Sequence, residues 1–161
     1  MARVAVVFVV LCIICAHSVI IPVNPTSGDD GICSRTSSEP PCATIQQAMN
    51  IAESNDVISL VVGVDHAPPA PNGLIPPSGK NLTLRSASPT ALATLDCSGN
   101  GRAMYMNGGS GGARMTLERL NVTSCRATWG GALYINEWCV VIVDSWFEGN
   151  SGTSTTTGGG E

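Results

Sequence analysis

Few side chains in this chain could carry out acid–base chemistry, and their spacing does not bring them together. Asp96 and Asp144 are isolated, and the spacing of Glu137 and Asp144 does not support a carboxylate pair for glycoside hydrolysis. His66 is the only histidine beyond residue 18, and we expect Asp65-His66 to be exposed beside a proline-rich loop. One histidine cannot form a metal cluster, and no Ser-His-Asp triad is indicated. We expect no catalytic site, no metal and no cofactor.

Disulfide formation is the chemistry that the cysteines offer. Beyond residue 18 the chain contains Cys33, Cys42, Cys97, Cys125 and Cys139. Cys33 and Cys42 could close a small loop, while Cys97 and Cys125 are 28 residues apart and could meet across stacked coils. Cys139 would be left over, and buried free thiols are the alternative. No CxxC pair points to a metal site.

The N-terminus has the features of a signal peptide. Arg3 precedes an apolar run over Val4–Cys15, and Ala16-His17-Ser18 offers a small-x-small cleavage site. We predict a signal peptide over residues 1–18, with an uncleaved anchor as the alternative, and no membrane span after its removal. Residues 19–41, rich in Pro, Ser, Gly and Asp, are predicted to be an unstructured leader.

Two sequons and the distribution of charge indicate which kinds of partner this protein could bind. Asn81 and Asn121 begin Asn-x-Thr sequons and are candidate N-glycosylation sites of a secreted or cell-surface protein. The 161 residues carry a net charge of -4, and the few basic residues are scattered. This distribution excludes the basic surface that nucleic-acid binding requires.

A 25-residue repeat must position these side chains. Three apolar pairs define it: Met115/Val140, Leu117/Ile142 and Val122/Phe147. Short alternating segments separated by glycine turns follow Val57, and a fixed period of this kind is typical of a stacked solenoid. We predict an all-β parallel β-helix of about four coils over residues 42–161, with the last coil incomplete.

One helix precedes the strands. Thr44 and Gln47 fit a capping box, and the apolar residues Ile45, Ala48, Met49 and Ala52 fall on one face. We predict a helix over residues 44–54 that caps the N-terminal end of the solenoid, where strand edges and core residues would otherwise meet water.

Two motifs carry a family resemblance. Gly130-Gly131-Ala132-Leu133 and Phe147-Glu148-Gly149-Asn150 resemble the paired GGA[ILV] and FxxN motifs of the polymorphic outer membrane protein repeat. The segments over residues 42–48 and 79–86 resemble the N-terminal part of secreted proteins with a pectin-lyase-like fold. The resemblance implies a right-handed β-helix that is extracellular or surface-exposed and often adhesive. Cys125 and Val122 depart from the motif, standing where asparagine and phenylalanine are expected.

The functional prediction is contact without catalysis. We expect a secreted or surface module, adhesin-like or matrix-like, whose partner is a protein or a glycan. The candidate contact patch is Trp129, Tyr134, Trp138 and Trp146, and Asn150 is expected to have a structural role at a turn. End-to-end self-association is a further expectation for an unfinished coil. The alternative is the N-terminal fragment of a polysaccharide lyase or glycoside hydrolase.

Overall fold

The computed structural model describes residues 17–36, 38–108 and 112–153. The predicted signal peptide lies almost wholly outside these residues. In the described part of the chain no helix is long and apolar enough to cross a membrane. The elements are β1 (Ile20–Val23), α1 (Ile45–Ile51), β2 (Val57–Leu60), β3 (Asp65–His66), β4 (Leu82–Ser86), β5 (Ala93–Asp96), β6 (Met104–Asn107), β7 (Arg114–Glu118), β8 (Leu120–Thr123), β9 (Arg126–Ala127), β10 (Leu133–Asn136), β11 (Cys139–Val143), β12 (Trp146–Glu148) and β13 (Ser151–Gly152).

The strands form a parallel β-solenoid. The first sheet has the order β1-β2-β4-β7-β11, the second β12-β8-β5-β3, and the third pairs β6 with β10, while β9 pairs with β13. All nine of these strand pairs are parallel, so the chain returns to each sheet once per coil. The predicted all-β β-helix is confirmed, with about three full turns instead of about four.

The 25-residue offset is the register of the last two coils. Val140 pairs with Met115, Ile142 with Leu117, and Phe147 with Val122. Alternate residues on each strand point inward, so these apolar side chains stack in rows along the axis of the solenoid. The inward residues of the earlier coils form one buried core that includes Ile58, Leu60, Leu84, Leu95, Met104, Met106, Met115, Leu117 and Leu120.

The capping helix is present and is shorter than predicted. Thr44 is the N-cap, and its side chain accepts a hydrogen bond from the Gln47 amide. In the predicted capping box the Gln47 side chain would accept from the Thr44 amide. Instead, Asp30 Oδ1 accepts from the Ala43 and Thr44 amides. Ile45, Ala48 and Met49 are buried, and α1 contacts both β1 and β2 at the N-terminal end of the stack.

The prediction of an unstructured leader over residues 19–41 is wrong for its first part. Ile20–Val23 form β1, which pairs in parallel with β2, and Ile21 and Val23 are buried in the core. Pro22 sits at an outward position of this edge strand, where its missing amide costs no sheet hydrogen bond. The proline and glycine content of the segment concealed a four-residue alternating strand.

Both predicted disulfides are present. Cys33 and Cys42 have Cα atoms 5.0 Å apart, and Cys97 and Cys125, on adjacent coils, have Cα atoms 4.7 Å apart. The first bond ties the segment after β1 to the start of α1, and the second links the ends of β5 and β8. Cys139 is a free, exposed thiol.

Asp65 is exposed as expected, but the expectation is wrong for His66. The two residues form β3, and His66 pairs in register with buried Leu95. The imidazole is buried, and its Nε2 lies 2.9 Å from the Val61 carbonyl oxygen. Burial lowers the pKa of His66, against the opposing effects of the Val61 hydrogen bond and the Asp65 charge.

Candidate functional site

The third sheet presents the same four-residue pattern in two successive coils. Met104-Tyr105-Met106-Asn107 in β6 pairs residue for residue with Leu133-Tyr134-Ile135-Asn136 in β10. The apolar residues of each strand face the core, so the tyrosines and asparagines face outward. The strand of each coil thereby places a tyrosine above a tyrosine and an asparagine above an asparagine.

The two tyrosines form a stacked pair on the outer face. Their ring centroids are 4.8 Å apart and the ring planes differ by 20°. The Arg102 guanidinium carbon lies 5.2 Å from the Tyr105 centroid and 5.4 Å from the Tyr134 centroid. Because these two distances are nearly equal, Arg102 lies beside the pair and is not stacked on either end. The Tyr134 ring face that points away from Tyr105 is therefore left free of Arg102.

These rings belong to an open groove, which we call the tyrosine groove. It is lined by Asn72, Ile75, Arg102, Tyr105, Trp129 and Tyr134. Arg102 is the only charged group among these residues, and its Nε is buried without a hydrogen-bond partner in the described structure. The groove combines aromatic surface, phenol hydroxyls and one guanidinium that no lining carboxylate neutralises.

An asparagine pair borders the groove. Asn136 Nδ2 donates to Asn107 Oδ1 at 2.8 Å, and Asn107 Nδ2 donates to the Tyr105 hydroxyl at 3.0 Å. These bonds fix the Tyr105 hydroxyl and hold the two coils in register on their outer face. Both asparagines are exposed, so they retain polar atoms at the edge of the groove.

The predicted four-residue aromatic patch is divided by the structure. Trp129 and Tyr134 line the tyrosine groove together. Trp138 is half-buried and packs against the core. Trp146 lies on the second sheet, where its indole Nε1 donates to Glu148 Oε2 at 3.1 Å.

Tyr105, Arg102 and Asn107 were missed by the sequence analysis. The signal that could have identified them is the apolar-Tyr-apolar-Asn repeat, whose copies are 29 residues apart because the loops between sheets differ in length. A search restricted to the 25-residue period does not find this pair.

The predicted repeat motif has a structural role. Gly130 has φ 61°, and a Cβ there would lie 2.3 Å from the Leu133 carbonyl oxygen, while one on Gly131 would lie 2.5 Å from that of Ser151. Both positions exclude a side chain because the backbone passes too close. Ala132 and Leu133 follow as half-buried residues that pack against the core.

Asn150 closes the corner between the second sheet and β13. Its Oδ1 accepts from the Cys125 amide at 2.9 Å, and its Nδ2 donates to the Val122 carbonyl at 2.8 Å. Phe147, in the same motif, stacks on Val122 of the preceding coil. The left-handed residue at this turn is Gly149, with φ 63°.

The sequon asparagines occupy different environments. Asn81 is exposed, and its Oδ1 accepts from the Arg114 amide at 2.9 Å. Asn121 is half-buried in β8, between Thr94 and Trp146 in register. Its Oδ1 is buried and has no hydrogen-bond partner among the described residues. Because of this burial, the Asn121 carboxamide is less accessible than that of Asn81.

The carboxylates singled out from the sequence lie on different strands and turns. Glu137 and Asp144 lie on either side of β11, whose first and last Cα atoms are about 13 Å apart at roughly 3.3 Å per residue. Asp96 and Glu148 do share an outward row of the second sheet, with Thr123 between them. Each already has a partner, since Asp96 accepts from the Ser98 amide and Glu148 from Trp146.

The fold therefore defines the class of protein, which is a parallel β-solenoid with an N-terminal helical cap. No protein family, no curated protein and no solved structure matches this chain.

Proposed function

We propose that this protein is a non-catalytic contact module, secreted or cell-surface and adhesin-like or matrix-like, that binds a glycan through the tyrosine groove. The observation that carries the proposal is the Tyr105–Tyr134 pair with Arg102 beside it and Trp129 at the groove wall. Trp129 is 60% exposed, although a large aromatic side chain gains free energy when it is covered.

The chemistry of the groove favours a sugar over a flat protein surface. A sugar ring has an apolar C–H face that packs on an aromatic ring, and hydroxyls that need hydrogen-bond partners. The groove offers both, because the Tyr134 ring and the Trp129 indole line it together with Tyr105 and the Arg102 guanidinium. Concave sites with a few fixed polar groups are the usual form of small-ligand sites.

An extracellular setting is supported by the covalent structure. Two disulfides in a chain of this size fit an oxidising compartment. The motif resemblance to polymorphic outer membrane protein repeats and to secreted pectin-lyase-like proteins points to the same setting.

The test is a binding screen with a matched tryptophan control. The full secreted chain is labelled and applied to an array of plant, animal and microbial glycans, and each retained glycan is titrated by calorimetry. Trp129→Ala should weaken binding about tenfold, the equivalent of about 1.4 kcal/mol. Trp146→Ala removes a tryptophan that is 61% exposed on the second sheet and should leave the affinity unchanged.

Two results would overturn the glycan assignment. One is equal loss of affinity in the two tryptophan variants, since the groove would then have no special role. The other is binding to a cell surface that survives enzymatic removal of glycans and is lost after protease treatment, which would identify a protein partner.

A further inference from the structure

Asp56 is a fully buried carboxylate at the N-terminal end of the solenoid. Its Oδ1 accepts from the Val19 amide at 2.9 Å and from Arg35 Nη2 at 3.0 Å. Its Oδ2 accepts from Arg35 Nε at 2.7 Å and from the Glu53 amide at 2.8 Å. Burial alone would raise the pKa of Asp56, but the hydrogen bonds from Arg35, Glu53 and Val19 together lower it.

The charges of this cluster do not balance. Arg35 also pairs with the Glu53 carboxylate, with Nη1 2.8 Å from Oε2. These ion pairs join one guanidinium to two carboxylates, a net charge of -1, in which the Asp56 side chain is fully buried and the Glu53 side chain is 70% exposed. Among the described residues Arg35 is the one cation in an ion pair with Asp56, and Glu53 shares it, so a second positive charge beside Asp56 would be favourable.

Val19 is the residue at which such a charge could be created. Its amide already contacts Asp56, and its carbonyl oxygen accepts from the Val57 amide at 2.9 Å. Both backbone groups are therefore held in place immediately before β1 begins. Val19 is also the first residue after the small-x-small site Ala16-His17-Ser18 that the sequence offers to a leader peptidase.

We propose that cleavage of the Ser18–Val19 bond makes Val19 the mature N-terminus and that its α-ammonium forms a buried ion pair with Asp56. In the hydrolysis a leader peptidase adds water across the peptide bond. The oxygen goes to the new Ser18 carboxylate, which departs with the leader, and the Val19 nitrogen becomes a primary amine that takes up a proton.

The new ion pair neutralises the cluster. The two cations are the Val19 ammonium and Arg35, and the two anions are Asp56 and Glu53. The one described hydrogen bond of Ser18 that is lost runs from its Oγ to the Asn55 carbonyl oxygen, at 2.7 Å. Because the ammonium is stabilised by a net negative cluster, its pKa should lie above the ordinary value of about 7.7–8.0. Its contribution to stability is then present at neutral pH and is lost as the pH rises through this raised pKa.

The first measurement is the identity of the mature N-terminus. The full chain with its own leader is expressed in a secretory host, and the secreted product is examined by intact mass and N-terminal sequencing. Val19 is the expected first residue. Any other first residue overturns the proposal.

The second measurement tests the ion pair with a double-mutant cycle. One added alanine before Val19 keeps an amide N–H near Asp56 but moves the terminal charge away. It should lower the melting temperature by about 4 °C in the native background and have no effect in the Asp56→Asn background. Equal effects in the two backgrounds overturn the ion pair.

An NMR titration of the Val19 amine covers the case in which Asp56→Asn does not fold. The mature chain with native Asp56 should give an α-amino pKa above 8. A value at or below about 8.0, the upper end of the ordinary range, overturns the ion pair even if Val19 is the first residue.

Discussion

At the scale of single residues, His66 is a titratable group that is buried on β3, next to Leu95 of β5. Its neutral form is favoured because burial lowers its pKa from the ordinary 6.5. As the pH falls below about 6.5, the unfolded chain takes up a proton that folded His66 does not, so the native state loses stability. A chain that begins at Val19 carries His66 as its only histidine, which makes the measurement clean.

The expected outcome is a free energy of unfolding that decreases between pH 6.5 and pH 5 in the native chain and is flatter in His66→Gln. Urea unfolding at several pH values measures both. A native chain whose stability is constant over this interval, or a His66→Gln chain with the same slope, would contradict the burial of a neutral imidazole.

The residues whose roles followed from the sequence are those with local causes. The glycines at 130 and 131 and the cysteine pairs depend on close approach or on spacing along the coil, which a repeat period shows directly. His66 and Arg102 depend on what lies beside them in other coils. Asp65-His66 looked like a loop because prolines follow it, yet the pairing of β3 with β5 fixes its burial.

At the scale of elements, the N-terminal end of α1 is fixed by a residue outside the helix. Asp30 accepts from the Ala43 amide at 2.8 Å, the Thr44 amide at 2.9 Å and the Thr44 hydroxyl at 2.7 Å. The Thr44 hydroxyl in turn caps the Gln47 amide at 3.2 Å. This chain of bonds connects the segment after β1 to the cap that covers the end of the stack.

Asp30→Ala should destabilise the protein by about 2 kcal/mol, since charge-assisted capping bonds are lost together. Asp29→Ala is the matched control, because Asp29 is exposed and its side chain accepts only from the Gly31 amide nearby, at 2.8 Å. We expect a cost below about 1 kcal/mol for the control. Urea denaturation at pH 7 compares the two, and equal costs would show that Asp30 does not secure the helix.

The strands were the elements best predicted from the sequence, because each inward position recurs with apolar character in the next coil. The apolar pairs that define the 25-residue repeat are register partners between β7 and β11 and between β8 and β12. The strand β1 was missed because a single edge strand has no repeat of its own. The tyrosine pair on the outer face of the third sheet was not predicted, since the connecting loops change the period.

At the scale of the whole molecule, the two ends of the solenoid differ. The N-terminal end is covered by β1, α1 and the segment that the Cys33–Cys42 bond holds. At the C-terminal end of the described stack, inward residues of the last coil are open, and Ile135 and Ile142 are about half exposed. Stability in such a stack is the sum of contacts between neighbouring coils, so the same residue type contributes less in a coil with one neighbour.

Leu117 and Ile142 allow this difference to be measured, because they are register partners on adjacent strands of the first sheet. Leu117 is 1% exposed and Ile142 is 48% exposed. Leu117→Ala should cost about 2–5 kcal/mol in urea unfolding, and Ile142→Ala about 1 kcal/mol, because only one side of its row is filled. Similar costs at the two positions would mean that something covers the last coil in solution.

Protein concentration then tests whether that cover is a second copy of the chain. If the stability of the native chain rises with protein concentration while that of Ile142→Ala does not, the cover is a second copy, as expected for end-to-end self-association.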